Sequence, residues 1–213
     1  GDIIGVTGPV ACGKSTFGRV FLCEMPYGGS VRFGGKELSS FSPQEISGMV
    51  GYLGHDPELS MDTIQNNVLF GSRQDVLPRL NAVVLTDEVL AMENGADTVV
   101  GSSGARLSGG QAQRLALART LAHPRPLMIL DDPFSALDRK TEDAVFANLQ
   151  AYAKDKVVFL ISHRLYHFPQ MQQVIFMEDG VVVESGASGE FFLHPREGRT
   201  RAFLNNIQGY TAR

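Results

Sequence analysis

Short apolar runs and turn signals alternate along this chain. Ile3-Ile4-Gly5-Val6-Thr7 reads as a strand, and Ser15 to Cys23 is compatible with a helix. Met49 to Leu53, Leu127 to Leu130 and Val157 to Ile161 are continuously apolar, the mark of strands buried on both faces of a parallel sheet. Thr141 to Ala153 has helical spacing between the last two, which predicts a βαβ unit. Val31-Arg32-Phe33 reads as a short strand that turns at Gly34-Gly35. Ser42-Pro43-Gln44-Glu45 has the cap, first-turn proline and acidic third position of a helix start. Val174 to Met177 and Val181 to Glu184 flank Asp179-Gly180 and predict a hairpin. Short helices follow, with a frayed tail from Gly209 to Arg213.

The pattern changes between Asp56 and Gly104. Asp62 to Phe70 and Asp75 to Met92 are helix-like, the second with Val76, Leu77, Leu80, Val83 and Val84 as a core-facing stripe. Pro78 must occupy a first turn or break that helix. The expectation is an α/β core over residues 1–55 and 105–213 with a helical subdomain, 56–104, inserted between core strands.

A chain of 213 residues can bury one large core. A net charge of −4 argues against a general nucleic-acid surface. Two cysteines, Cys12 and Cys23, suit a reducing compartment, and Cys12 reads as a small filler. No apolar run reaches the ~18 residues that span a bilayer, and no stretch has the pattern of a secretory signal. The sequence opens at Gly1-Asp2, without Met and directly before a core strand, so we expect it to be cut from a longer polypeptide.

Gly8-Pro9-Val10-Ala11-Cys12-Gly13-Lys14-Ser15 fits G-x-x-x-x-G-K-[ST], with Thr16 next, between the first strand and first helix. Such a loop brings backbone N–H groups up to phosphate oxygens. Lys14 is placed for the β- and γ-phosphates and Ser15 for Mg²⁺. Leu130-Asp131-Asp132 ends a buried strand, where ligands gather in open parallel sheets. Asp131 is the candidate for Mg²⁺ and Asp132 the candidate to orient or activate a water. Leu107-Ser108-Gly109-Gly110-Gln111 precedes the strong helix former Ala112 to Ala122. A capping box explains Ser108 and Gln111; it leaves Gly109-Gly110 calling for a ligand that approaches the backbone.

The phosphate loop, LSGGQ, LDDP, Ser135-Ala136-Leu137-Asp138 and Ser162-His163, in this order, resemble an ATP-binding cassette (ABC) nucleotide-binding domain over nearly the whole chain. The resemblance implies the P-loop NTPase fold: a mostly parallel central sheet, an inserted helical subdomain and a small antiparallel β part. It implies ATP and Mg²⁺ as cofactors and two domains packed head to tail around ATP. Ser108, Gly109, Gly110 and Gln111 would then act on the partner's ATP. His163 would contact the γ-phosphate of this chain's own, and Ser135 to Asp138 would line the seam. Asp62 to Gly71 and Thr98 to Gly104 resemble coupling segments of exporter-type members, although Ser102 stands where a carboxylate is common. That places the domain on the cytoplasmic face of a membrane, on transmembrane domains in the same chain or another.

Three departures from the family pattern bear on activity. Asp132 stands where the family has its catalytic glutamate, one methylene or roughly 1.5 Å shorter. His55 stands where a glutamine that contacts the metal is expected, and imidazole suits Mg²⁺ poorly. The aromatic residue that stacks on adenine would precede Gly1. The expectation is a degenerate site that binds ATP and hydrolyses it slowly, with an intact LSGGQ completing a competent site on a different partner. Two other classes compete: a soluble ABC ATPase of translation or DNA maintenance, and an ATP-gated regulatory module with little hydrolysis.

Overall fold

In the computed structural model, which describes residues 1–101 and 106–207, the first strand β1 (Asp2–Thr7) leads into helix α1 (Lys14–Val20). β2 (Arg32–Phe33) and β3 (Lys36–Glu37) form a separate antiparallel hairpin. Helix α2 (Pro43–Met49) begins with the expected capping box between Ser42 and Glu45 and delivers the chain to β4 (Val50–Leu53).

Three short helices follow: α3 (Ile64–Leu69), α4 (Leu77–Ala82) and α5 (Thr86–Leu90). The single helix expected over Asp75 to Met92 is therefore two. Pro78 lies in the first turn of α4, and the chain breaks where Val84 adopts a left-handed conformation, φ 55°. The break changes the phase of the apolar stripe. Val76, Leu80 and Val83 are buried with Leu85 and Val89, whereas Leu77 and Val84 face outward. Its physical reason is tertiary: the Arg114 guanidinium donates to the Val84 carbonyl that the turn exposes.

The long helix α6 (Gly109–Ala122) leads to β5 (Leu127–Asp131), then α7 (Arg139–Tyr152) and β6 (Val157–Ile161). α7 starts two residues earlier than expected because Asp138 caps it, accepting from the Thr141 N–H at 3.1 Å. β7 (Gln173–Glu178) and β8 (Val181–Ala187) form the predicted hairpin, and α8 (Ser188–Leu193) and α9 (Gly198–Asn206) close the described chain. Gly209 to Arg213 lie outside the described residues, as do positions 102–104 of the second coupling-like segment.

The central sheet has the order β4-β5-β6-β1-β7-β8. Every pairing in it is parallel except β7 with β8. The fold is thus α/β with a mostly parallel sheet, a helical insert between β4 and β5, and a small antiparallel hairpin. Two apolar layers cover the sheet. One gathers Val6, Ile129 and Ile161 with α1 and α2; the other gathers Met128, Leu130 and Leu160 with α6 and α7. Alternate residues of the same strand enter opposite layers, which is why these strands carry no polar alternation. Burying each such side chain contributes roughly 1.5–3 kcal/mol.

Candidate functional site

β1, β4, β5 and β6 run parallel and end at the same edge of the sheet, in register Leu53↔Leu130 and Asp131↔Ile161. The loops leaving them carry the phosphate-loop motif, His55, Asp131-Asp132 and Ser162-His163. The topology thereby brings together four segments that are far apart in sequence, at the edge where open sheets bind ligands.

The 8–15 loop turns through positive φ at Gly8 (153°), Ala11 (62°) and Gly13 (98°). A Cβ on Gly8 would lie 2.0 Å from the Met177 carbonyl oxygen, so that position admits no side chain. The Gly180 N–H donates to the Cys12 carbonyl at 2.9 Å and ties the loop to the β7–β8 turn. Pro9, Val10 and Ala11 are exposed along its rim, as are Ser15 and Thr16. Cys12 is buried, in keeping with a filler. The Lys14 ammonium folds back into the loop and donates to the carbonyls of Gly8, at 3.0 Å, and Pro9, at 2.8 Å.

Asp131 is 3% exposed, and its Oδ2 has no hydrogen-bond partner. Burial pushes its carboxyl above the ordinary range, while a hydrogen bond from Ser15 pulls it back. A buried carboxylate oxygen left without a donor and facing a hydroxyl suits a hard cation. Among the described residues no cluster of three or more His, Cys, Asp or Glu side chains has metal-binding spacing.

Asp132 holds a left-handed backbone, φ 52°, with its N–H on the Ile161 carbonyl at 2.8 Å. Both carboxylate oxygens are engaged. Oδ1 accepts from the Ser162 hydroxyl at 3.0 Å, and Oδ2 lies 3.1 Å from His163 Nδ1 and 3.9 Å from His55 Nδ1. The carboxylate is buried between two half-exposed imidazoles. Sequence reasoning named all three residues without anticipating that they meet on one oxygen.

Ser108, Gly109, Gly110 and Gln111 open α6, whose Gln113 donates to the Asp132 carbonyl at 3.3 Å. Ser108 Oγ accepts from the Gln111 N–H at 3.2 Å, and Gln111 Oε1 accepts from the Ser108 N–H at 2.9 Å. Gln111 also donates to Glu88 Oε2 at 2.8 Å, and Glu88 pairs with the buried Arg114 at 2.6 Å. Arg114 holds the Glu88 carboxyl below its usual range. Among the described residues, the side-chain hydrogen bonds of this segment run to itself and to Glu88, none to the phosphate loop. The segment presents the N-terminus of a 14-residue helix, with Ser108 and Gly109 exposed. Glu88 escaped the sequence reading because nothing in α5 signals a partner 23 residues ahead.

A family model described as ABC transporter matches residues 1–135. The chain is 36% identical over 212 residues to an ATP-dependent lipid A-core flippase of Burkholderia pseudomallei, covering 98% of this chain and 35% of that protein. It is 32% identical over 195 residues to a probable multidrug resistance ABC transporter ATP-binding/permease protein of Bacillus subtilis, covering 89% of this chain and 33% of that protein. In three dimensions it matches a bacterial Atm1-family ABC exporter with ATP bound, at a TM-score of 0.88 and 28% identity over 96% of this chain and 36% of that one. The chain spans about a third of the length of these relatives. With the motifs at one sheet edge and the match extending over almost every residue, the chain belongs to the ABC transporter family.

Proposed function

We propose that this chain is the ATP-binding domain of an exporter-type ABC transporter, with an own site that turns over slowly. One observation carries the reading: Lys14, Ser15, Asp131, Asp132 and His163 converge at one edge of the sheet. The comparisons support transport as the setting, since relatives matched along nearly the whole chain are a flippase and a multidrug transporter.

In this reading residues 8–16 hold the phosphates and Lys14 exchanges the two loop carbonyls for phosphate oxygens. Ser15 and Asp131 hold Mg²⁺, which when bound neutralises phosphate charge. His55 lies 3.9 Å from Asp132, close enough to Asp131 to act on its charge, and adds an imidazole near the metal position. His163 is placed to donate to the γ-phosphate. Asp132 is short, and Ser162 and His163 occupy its two oxygens. Misplacing a reacting group by about 1 Å costs on the order of 10²-fold. The exposed tip at Ser108 to Gln111 completes the ATP site of a second, different domain packed head to tail. Transmembrane domains, fused or separate, hold the pair at the cytoplasmic face of a membrane.

The test is turnover by the assembled transporter with Asp132→Glu. The longer side chain reaches past the Ser162 bond, and own-site turnover rises at least ~10-fold. An unchanged rate removes the degenerate-site reading.

A further inference from the structure

We infer that Arg164 is a positioning residue that ties the Phe134–Leu137 loop to Asp132 and His163, coupling this chain's own site to the segment lining the seam with a second domain. The proposal rests on the head-to-tail reading above.

The geometry is specific. Arg164 Nη1 donates toward the carbonyls of Phe134 at 3.2 Å and Leu137 at 3.4 Å, and toward Glu142 Oε2 at 3.0 Å. Nη2 donates to the Ser135 carbonyl at 3.4 Å. A single guanidinium thus gathers three carbonyls of the 134–137 loop and the buried Glu142 carboxylate at the start of α7. Phe134 and Leu137 point inward, while Ser135 and Ala136 remain toward solvent, where another protomer could reach them. The backbone N–H of Arg164 donates to Ser162 Oγ at 3.0 Å, and the same hydroxyl donates to Asp132 Oδ1 at 3.0 Å. His163 is the residue between them. A shift of the 162–164 segment as His163 engages a phosphate is therefore transmitted to the loop by one rigid planar fork. Its other end presses on the helix tip, because the Ala136 carbonyl packs against Gly110.

Arginine and lysine separate the two roles this side chain could have. Lysine keeps a positive charge opposite Glu142 and cannot span that carboxylate together with three carbonyls. In the full transporter with its partner, Arg164→Lys lowers kcat at this chain's own site about 10-fold, a loosened rather than lost geometry. KM and nucleotide affinity at this chain's phosphate loop stay within about 2-fold, and Tm moves little. Glu142→Gln, which removes the ion pair and leaves the carbonyl contacts, changes Tm while kcat stays within about 2-fold. Wild-type kcat in Arg164→Lys overturns the proposal, as does an equal loss of kcat in both variants, which marks a structural ion pair. Gly109→Asp in the same assembly reads the underlying model. If it has no effect, the head-to-tail reading fails and takes this one with it. If it abolishes turnover while Arg164→Lys is silent, only the coupling fails.

Discussion

At Gly110 an added methyl would lie 2.9 Å from the Ala136 carbonyl oxygen; at Gly109 it would meet only the Ala136 methyl, at 3.8 Å. The two glycines look alike in sequence, and a ligand near the backbone was the expected reason for both. The structure gives Gly110 a packing reason. Overpacking against backbone costs ~1–3 kcal/mol, while alanine returns ~1 kcal/mol of helix propensity. Gly110→Ala therefore lowers stability by up to about 2 kcal/mol, readable as a shift in denaturant midpoint. Gly109→Ala, which makes only an ordinary contact with the Ala136 methyl, raises stability by about 0.5 kcal/mol or leaves it unchanged, yet reduces turnover of the assembled pair if the helix tip faces a nucleotide. Equal effects of the two substitutions on stability would contradict the packing assignment. The same contrast separates what was legible from what was not. Asp132, His55 and His163 could be named from their motifs, but their meeting around one carboxylate oxygen depends on three strands, β4, β5 and β6, ending in register.

Strands and caps were the readable elements. Continuous apolar runs located β1, β4, β5 and β6, and the capping boxes at Ser42 and Ser108 located α2 and α6. The break between α4 and α5 was unreadable because its cause, Arg114, lies 30 residues away. A second unread element is the turn after β6. His167 is buried there, stacked on Phe146 of α7 at 4.2 Å, with Glu142 Oε1 at 3.5 Å and Asp143 Oδ1 at 3.4 Å. Burial lowers its pKa from the ordinary value; Asp143 opposes this and Arg139 adds to it. The sign follows from linkage: the unfolded chain binds this proton more readily, so the packing of His167 on α7 is fully stable above about pH 6.5 and weakens as pH falls below it. The slope is at most about 1.4 kcal/mol per pH unit. His167→Phe keeps the stack and removes the proton. Urea unfolding at pH 7.5 and 5.5 then shows a smaller loss in the variant than in the wild type. Parallel losses would show that the imidazole is not the acid-sensitive group.

At the scale of the whole molecule, the sheet collects the phosphate loop, Asp131, Asp132 and His163 on one edge, while α6 presents an exposed tip at Ser108 and Gly109. In the head-to-tail arrangement proposed above, the 108–111 segment serves the nucleotide of a neighbour. On the slow-site proposal, the two halves of the chain contribute unequally to total turnover. Asp132→Asn keeps the Ser162 hydrogen bond and removes the carboxylate charge that the proposal holds to activate water poorly. In the assembled pair it changes total ATP turnover less than about 2-fold. Gly109→Asp places a carboxylate at the positive end of α6, where it repels a triphosphate held by the partner. That substitution lowers total turnover by roughly 10²-fold or more, the scale of losing one well-placed donor set in a closed site. Measured side by side by phosphate release, the asymmetry is the signature of a chain that gives more to its neighbour's site than to its own. Equal losses would mean that Asp132 activates water as well as the longer residue does, and that both sites work.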